Sequence, residues 1–103
     1  MKNRIIVQKY GGSSIGDVEK LKLIAKKISE KKEKGFNPVV VVSAMGKTTD
    51  ELVSMSEKVT FFNKAPNLRE KDTLLSTGEL VSSTLLAISI KSLEKKVISL
   101  SGS

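Results

Sequence analysis

A lysine, two glycines and two hydroxyls crowd into Lys9–Ser14, in the stretch VQKYGGSS, directly behind an apolar run. Adjacent glycines are costly to order, and a lysine at the end of a buried strand needs an anion or water. Together they point to a backbone bent around an anion. Gly11, Gly12, Ser13 and Ser14 can turn successive N–H groups inward. A following helix N-terminus adds a favourable dipole, and Lys9 can set its ammonium against phosphate oxygens. A plain β-to-α turn with Lys9 in solvent accounts for the glycines alone; the lysine directly before them favours phosphate. A second group is SAMGKTT, Ser43–Thr49. Its Gly46-Lys47-Thr48 looks like the end of a P-loop, G-x-x-x-x-G-K-[ST]. The first glycine of that motif would fall on Val41, so the phosphate cradle is missing. What is left is the Ser43 hydroxyl, a glycine turn and the Thr48–Thr49 pair, which suit a small anion such as a carboxylate or simply cap a helix. The third group is Glu79, the only charge between Thr73 and Ile90. Gly78 beside it lets something approach the helix backbone, at a helix cost of about 1 kcal/mol. If largely buried, Glu79 needs a partner: Lys9, another lysine on a rim loop, or a ligand ammonium. The other reading is a solvent-facing Glu79 on a polar stripe with Ser76, Ser82 and Ser83.

The elements that must hold these groups are legible from periodicity. Arg4–Lys9 and PVVVVSA, opened by Pro38, read as strands buried on both faces. Between them, Val18, Leu21, Ile24, Ala25 and Ile28 recur at helical spacing, with Asp17 as N-cap and Gly35 as stop. Thr48 and Glu51 have capping-box spacing, which predicts a helix to about Val59. TFFNKAPNLRE reads as a loop, Lys71 to about Leu93 as a long, mostly buried helix, and Val97–Leu100 as a third strand. Strands joined by helical crossovers give an α/β fold with a parallel sheet and helices on both faces. Ligands of such sheets bind at the carboxyl ends of the strands. Here those ends carry KYGGSS, SAMGKTT and SGS. Three strands are few for such a domain, so the sequence reads as the N-terminal piece of a larger one.

Composition excludes several functions. The chain has 103 residues, without histidine or cysteine, so catalysis must use carboxylates, lysines, hydroxyls, backbone amides and a bound cation. Its net charge is +7, yet seven of the eighteen basic residues fall within 20–34, beside Glu19, Glu30 and Glu33. Arginines are only Arg4 and Arg69, and aromatics only Tyr10, Phe36, Phe61 and Phe62. That is a solvated lysine-rich helix face rather than a nucleic-acid platform. Ile5–Val7 is far too short for a secretory leader. Thr73–Ile90, with its seven hydroxyls, reads as a poor membrane span. No membrane partner and a cytoplasmic location are therefore expected.

In order and spacing, VQKYGGSS, VVVVSAMGKTTDEL, LREKDTLLSTGELVS and SLSGS resemble the successive signatures of the aspartokinases, within the amino-acid kinase family. The resemblance covers essentially the whole chain. It implies the carbamate-kinase-like three-layer sandwich of that family. The implied activity is transfer of the ATP γ-phosphate to the β-carboxylate of L-aspartate with Mg²⁺, the first step toward lysine, threonine and methionine. By position it implies that Lys9, Tyr10, Gly11 and Gly12 contact ATP, with Lys9 stabilising the transferred phosphoryl group. Ser43 becomes a second nucleotide-side contact. Lys47, Thr48, Thr49, Asp50 and Glu51 become the aspartate-binding turn, with Thr49 the direct contact, and Glu79 holds the substrate ammonium. Tyr10 and Ser13 stand where many family members have Phe and Thr. The family's catalytic aspartate, second lysine, nucleotide-base pocket and regulatory domains would lie beyond Ser103. Residues 1–103 are thus expected to be the N-terminal portion of the catalytic domain, inactive alone and prone to self-association or homo-oligomer formation. Two alternatives stand beside this: a non-catalytic nucleotide- or anion-binding α/β module, and a sister kinase acting on glutamate, acetylglutamate or uridylate. Thr49 and Glu79 favour an amino acid with a free amine.

Overall fold

The computed structural model describes residues 4–100. In chain order these form β1 (Arg4–Tyr10), α1 (Val18–Glu33), β2 (Phe36–Val42), α2 (Thr48–Lys58) and α3 (Leu68–Ser92), with a short 3-10 turn at Phe61–Asn63. The two strands pair in parallel, Ile6 opposite Pro38, Gln8 opposite Val40 and Tyr10 opposite Val42. Pro38 lies inside β2 rather than opening it, which an edge strand tolerates.

The first crossover forms as its sequence dictates. The Asp17 carboxylate accepts a hydrogen bond from the Lys20 amide at 2.8 Å and so caps α1. Leu21, Ile24, Ala25 and Ile28 line the buried stripe. Gly35, at φ 93°, lets the chain turn out of the helix and into β2. Helix α3 begins three residues earlier than Lys71, because Asn67 caps it by accepting from the Glu70 amide at 3.1 Å.

Three expectations need correction. First, the sheet is not covered on both faces. Tyr10, Val40 and Val42 pack on the core, whereas Ile5, Val7, Val39 and Val41, on the opposite face, stay between 49% and 75% exposed. Among the described residues, α1 and α3 lie against the covered face and α2 packs on α3. Second, α3 is not mostly buried. Gly78, Ser82, Leu86, Ala87 and Ile90 make a single buried stripe, and Leu80, Val81, Leu85 and Ile88 are exposed. By length and apolar composition alone α3 would suffice to cross a membrane, a test that the core helix of a soluble protein also passes. The hydroxyls that argued against a span are satisfied within the helix: Thr73, Ser76, Thr77, Ser82, Ser83 and Thr84 all donate to carbonyls three or four residues back. Third, the sheet has two strands among the described residues, and Val97–Leu100 forms no ladder. Only Val97 packs on the core, while Ile98 and Leu100 are exposed, so the segment buries too little to fix a strand register. The turn expected after it, Ser101–Ser103, lies outside the described residues.

The radius of gyration is 16.2 Å, against about 13 Å for a compact domain of this length. The molecule is elongated, with principal extents of 60 × 26 × 18 Å.

Candidate active site

Both glycine turns leave the carboxyl ends of their strands and meet. The first runs from Gly11 to Asp17. Ser14 N–H donates to the Gly11 carbonyl at 3.1 Å, and Ile15, fully buried, pins the turn to the core. The Lys20 ammonium donates to the Ser13 carbonyl at 3.3 Å. Among the described residues, the amides of Gly12 and Ser13 have no acceptor. Adjacent N–H groups in a turn, without an acceptor, are available to an anion.

The second turn, Ser43–Lys47, is bound to the first by backbone. Ser43 N–H donates to the Tyr10 carbonyl at 3.1 Å, and Gly46 N–H to the Gly12 carbonyl at 3.0 Å. Glycine is required at both ends of that second bond. A methyl at Gly12 would lie 2.9 Å from the Ala44 carbonyl oxygen. Gly46 holds φ +50° with the Gly16 carbonyl only 3.1 Å from where its Cβ would be. The sequence reading gave Gly16 and Ala44 no role. The glycine in SSIGD just before an N-cap was the available signal.

Lys9 is exposed on the open face of the sheet, beside Val41. Among the described residues the one ion pair is Lys95–Glu33, so Lys9 has no acidic partner there. Tyr10 packs partly buried against the core, and its backbone carbonyl ties the two turns.

Helix α2 starts at Thr48 as expected, but the Thr48–Glu51 capping box does not form. The N-cap is Lys47, with no side-chain hydrogen bond. Thr48 is already the first helical residue, so its hydroxyl cannot reach the amides an N-cap serves. Neither Thr48 nor Thr49 spends its hydroxyl on the described chain, and Thr49 is exposed. Asp50 and Glu51 sit in the first turn, where they complement the helix dipole. Their negative charge opposes a second anion there, which leaves Lys47 and the threonine hydroxyls as the groups that can receive one.

Glu79 is exposed and forms no ion pair among the described residues, with Lys9 or any other lysine. Of the two readings of Glu79, the buried one is therefore corrected and the solvent-facing one is found. Glu79 follows Gly78 of the buried stripe by one position, which is about 100° around the helix. Gly78 is the close contact. A methyl there would lie 2.9 Å from Ala44 Cβ, 3.3 Å from Thr48 Cγ2 and 3.5 Å from Leu52 Cδ1. The structure thus draws the two turns, the start of α2 and the Gly78–Glu79 segment of α3 to one end of the sheet. A groove of about 360 Å³ lies elsewhere, along β2, between Ile28, Pro38, Val40, Leu86, Ile90 and Val97. No group of acidic side chains among the described residues could hold a metal ion by itself.

Known proteins align with this arrangement throughout. An aspartokinase of Geobacillus stearothermophilus is 50% identical over 98 residues, covering 95% of this chain and 23% of that protein. One from Mycolicibacterium smegmatis is 46% identical over 99 residues, again 23% of its length. The crystal structure of an aspartate kinase from Synechocystis superposes with a TM-score of 0.87 at 45% identity, over 93% of this chain and 16% of that one. The chain therefore spans about a quarter of the curated relatives it matches. The model of the amino acid kinase family matches residues 4–103, from the first residue of β1 past the groove-lining segment. With both glycine turns and the start of α3 inside that match, the chain belongs to the amino acid kinase family.

Proposed function

We propose that these residues form the first part of the catalytic domain of an aspartate kinase. Such an enzyme transfers the ATP γ-phosphate to the β-carboxylate of L-aspartate, giving 4-phospho-L-aspartate and ADP. The observation that carries the reading is the Gly46–Gly12 hydrogen bond, which locks an anion-binding turn against the helix start bearing Lys47, Thr48 and Thr49. Identity of 46–50% to aspartokinases across this region supports the choice of aspartate.

The chemistry needs little from the protein beyond position and charge. A β-carboxylate oxygen attacks the γ-phosphorus while the bond to the β,γ-bridging oxygen breaks. The attacking group is already ionised near neutral pH, so no base must remove a proton. That is why a chain without histidine can serve. In this reading the free amides of Gly12 and Ser13 receive phosphate oxygens. Lys9 offsets the charge that moves in transfer, and Ser43 lies on the nucleotide side. Lys47, Thr48 and Thr49 receive the amino acid's carboxylate, with Asp50 and Glu51 at the edge of that pocket, and Glu79 takes its ammonium. Mg²⁺ arrives as part of the substrate MgATP, held chiefly by phosphate oxygens, as is usual for this ion.

The same proposal covers the finer architecture. Further chain would complete a three-layer sandwich by covering the open face of the sheet, and the enzyme would work in the cytoplasm. In the 103-residue chain alone, Ile5, Val7, Val39 and Val41 are left bare beside a free strand edge. Such surfaces drive association. The expected result is concentration-dependent self-association in light scattering. A compact monomer at high concentration would contradict it.

Activity is tested in a joined enzyme, in which the full 103-residue chain is followed by the remaining sequence of the Geobacillus stearothermophilus aspartokinase. ADP release should depend on L-aspartate and be far slower with glutamate, acetylglutamate or uridylate. Release that ignores the acceptor would remove the reading.

A further inference from the structure

Ala44 is 4% exposed and sits between the first glycine turn and α3. Its carbonyl oxygen faces Gly12 of the first turn, where an added methyl would lie at 2.9 Å. Its own methyl faces Gly78 of α3, where an added methyl would again lie at 2.9 Å. Carbon–carbon contact is comfortable from about 3.5 Å, and 2.9 Å is too short for a Cβ against either a carbon or a carbonyl oxygen, so neither side has room for one more atom. Three of the smallest residues, from three segments far apart in sequence, thus pack against one another through Ala44. On one side of Ala44 is the nucleotide turn; on the other is the residue before Glu79.

We propose that Gly12, Ala44 and Gly78 are positioning residues that act as a spacer, setting the distance of Glu79 from the two turns and so the width of the amino-acid subsite. This rests on the site assignment made above. A methyl at Gly78 pushes α3, and Glu79 with it, away from Thr48 and Thr49 by roughly half to one ångström. A widened subsite loses grip on aspartate and gains room for an acceptor one methylene longer. The two sides of Ala44 also differ in kind. Gly78 meets side-chain carbons only, and Ala44→Gly removes the tightest of them, leaving Thr48 Cγ2 at 3.3 Å. Gly12 meets a backbone carbonyl, which no substitution at Ala44 removes.

The test uses the joined enzyme, with kcat/KM measured for L-aspartate and L-glutamate on the same preparation. Their ratio does not depend on how much of the protein is folded. Gly78→Ala should raise the glutamate-to-aspartate ratio about tenfold, the low end of what one methylene is worth in a pocket. The double variant Ala44→Gly/Gly78→Ala should return the ratio to within about threefold of the parent. Gly12→Ala should raise KM for ATP and should not be rescued by Ala44→Gly. If Gly78→Ala gives no soluble enzyme, Ala44→Ser, which adds one atom to the same contact, is expected to shift the ratio in the same direction. An unchanged ratio in the variant that folds, or a double variant that recovers thermal stability without recovering the ratio, overturns the spacer. An unsubstituted joined enzyme that phosphorylates no amino acid overturns the site assignment itself.

Discussion

Lys9→Ala in the joined enzyme should lower kcat by about a hundred- to a thousandfold, the range seen when one preorganised group facing the developing charge of a transition state is removed. Lys9 is the penultimate residue of β1, exposed and without an acidic partner among the described residues. Its charge is free to face a ligand. Phosphoryl transfer moves negative charge onto the leaving bridging oxygen and across the transferred group. An interaction that strengthens as that charge moves acts on kcat rather than on binding. KM for ATP should therefore change much less, because the amides of Gly12 and Ser13 remain. Lys26→Ala, on the exposed face of α1, should leave all constants unchanged. Steady-state kinetics with each substrate varied in turn decide it. A Lys9→Ala enzyme with normal kcat and raised KM for ATP would make Lys9 a ground-state anchor only.

Glu79→Gln should act on the other substrate. It keeps the shape and removes the charge that faces the aspartate ammonium. A charge-assisted hydrogen bond contributes about 1.5–3 kcal/mol, equivalent to roughly ten- to a hundredfold in affinity. Because Glu79 is exposed in this chain, solvent screening sets the expected rise in KM for aspartate near the lower end, about tenfold. KM for ATP should hold. A rise in KM for ATP with aspartate unaffected would take Glu79 out of the amino-acid subsite.

Local pattern carried most of the fold. The Ile5–Val7 and Val39–Val42 runs gave the strands, the Val18–Ile28 spacing and Asp17 gave α1, and the crossover between them gave the parallel pairing that forms. Boundaries moved where a cap went unread, as with Asn67 and Glu70 at the start of α3. Burial was the poorer inference. Continuous apolar residues in β1, β2 and α3 imply two covered faces, but the described residues supply helices for only one. Glu79 follows the same logic: of its buried and solvent-facing readings, the exposed face of α3 selects the second. In the site, residue types and spacing identified the two turns. Their mutual contact was not legible, because it depends on Gly12, Gly46 and Gly16 meeting through backbone atoms. Likewise, a capping-box pattern cannot reveal that Thr48 is the first helical residue and Lys47 the cap.

Product identity tests the central claim most directly. An acyl phosphate is attacked by hydroxylamine at its carbonyl carbon, which releases phosphate and leaves a hydroxamate, whereas a phosphate ester or free ADP gives none. Incubating the joined enzyme with MgATP, L-aspartate and hydroxylamine should yield aspartate β-hydroxamate in step with ADP, and Lys9→Ala should slow both together. ADP formed without hydroxamate, or hydroxamate formed from glutamate in preference to aspartate, would contradict transfer to the β-carboxylate of aspartate.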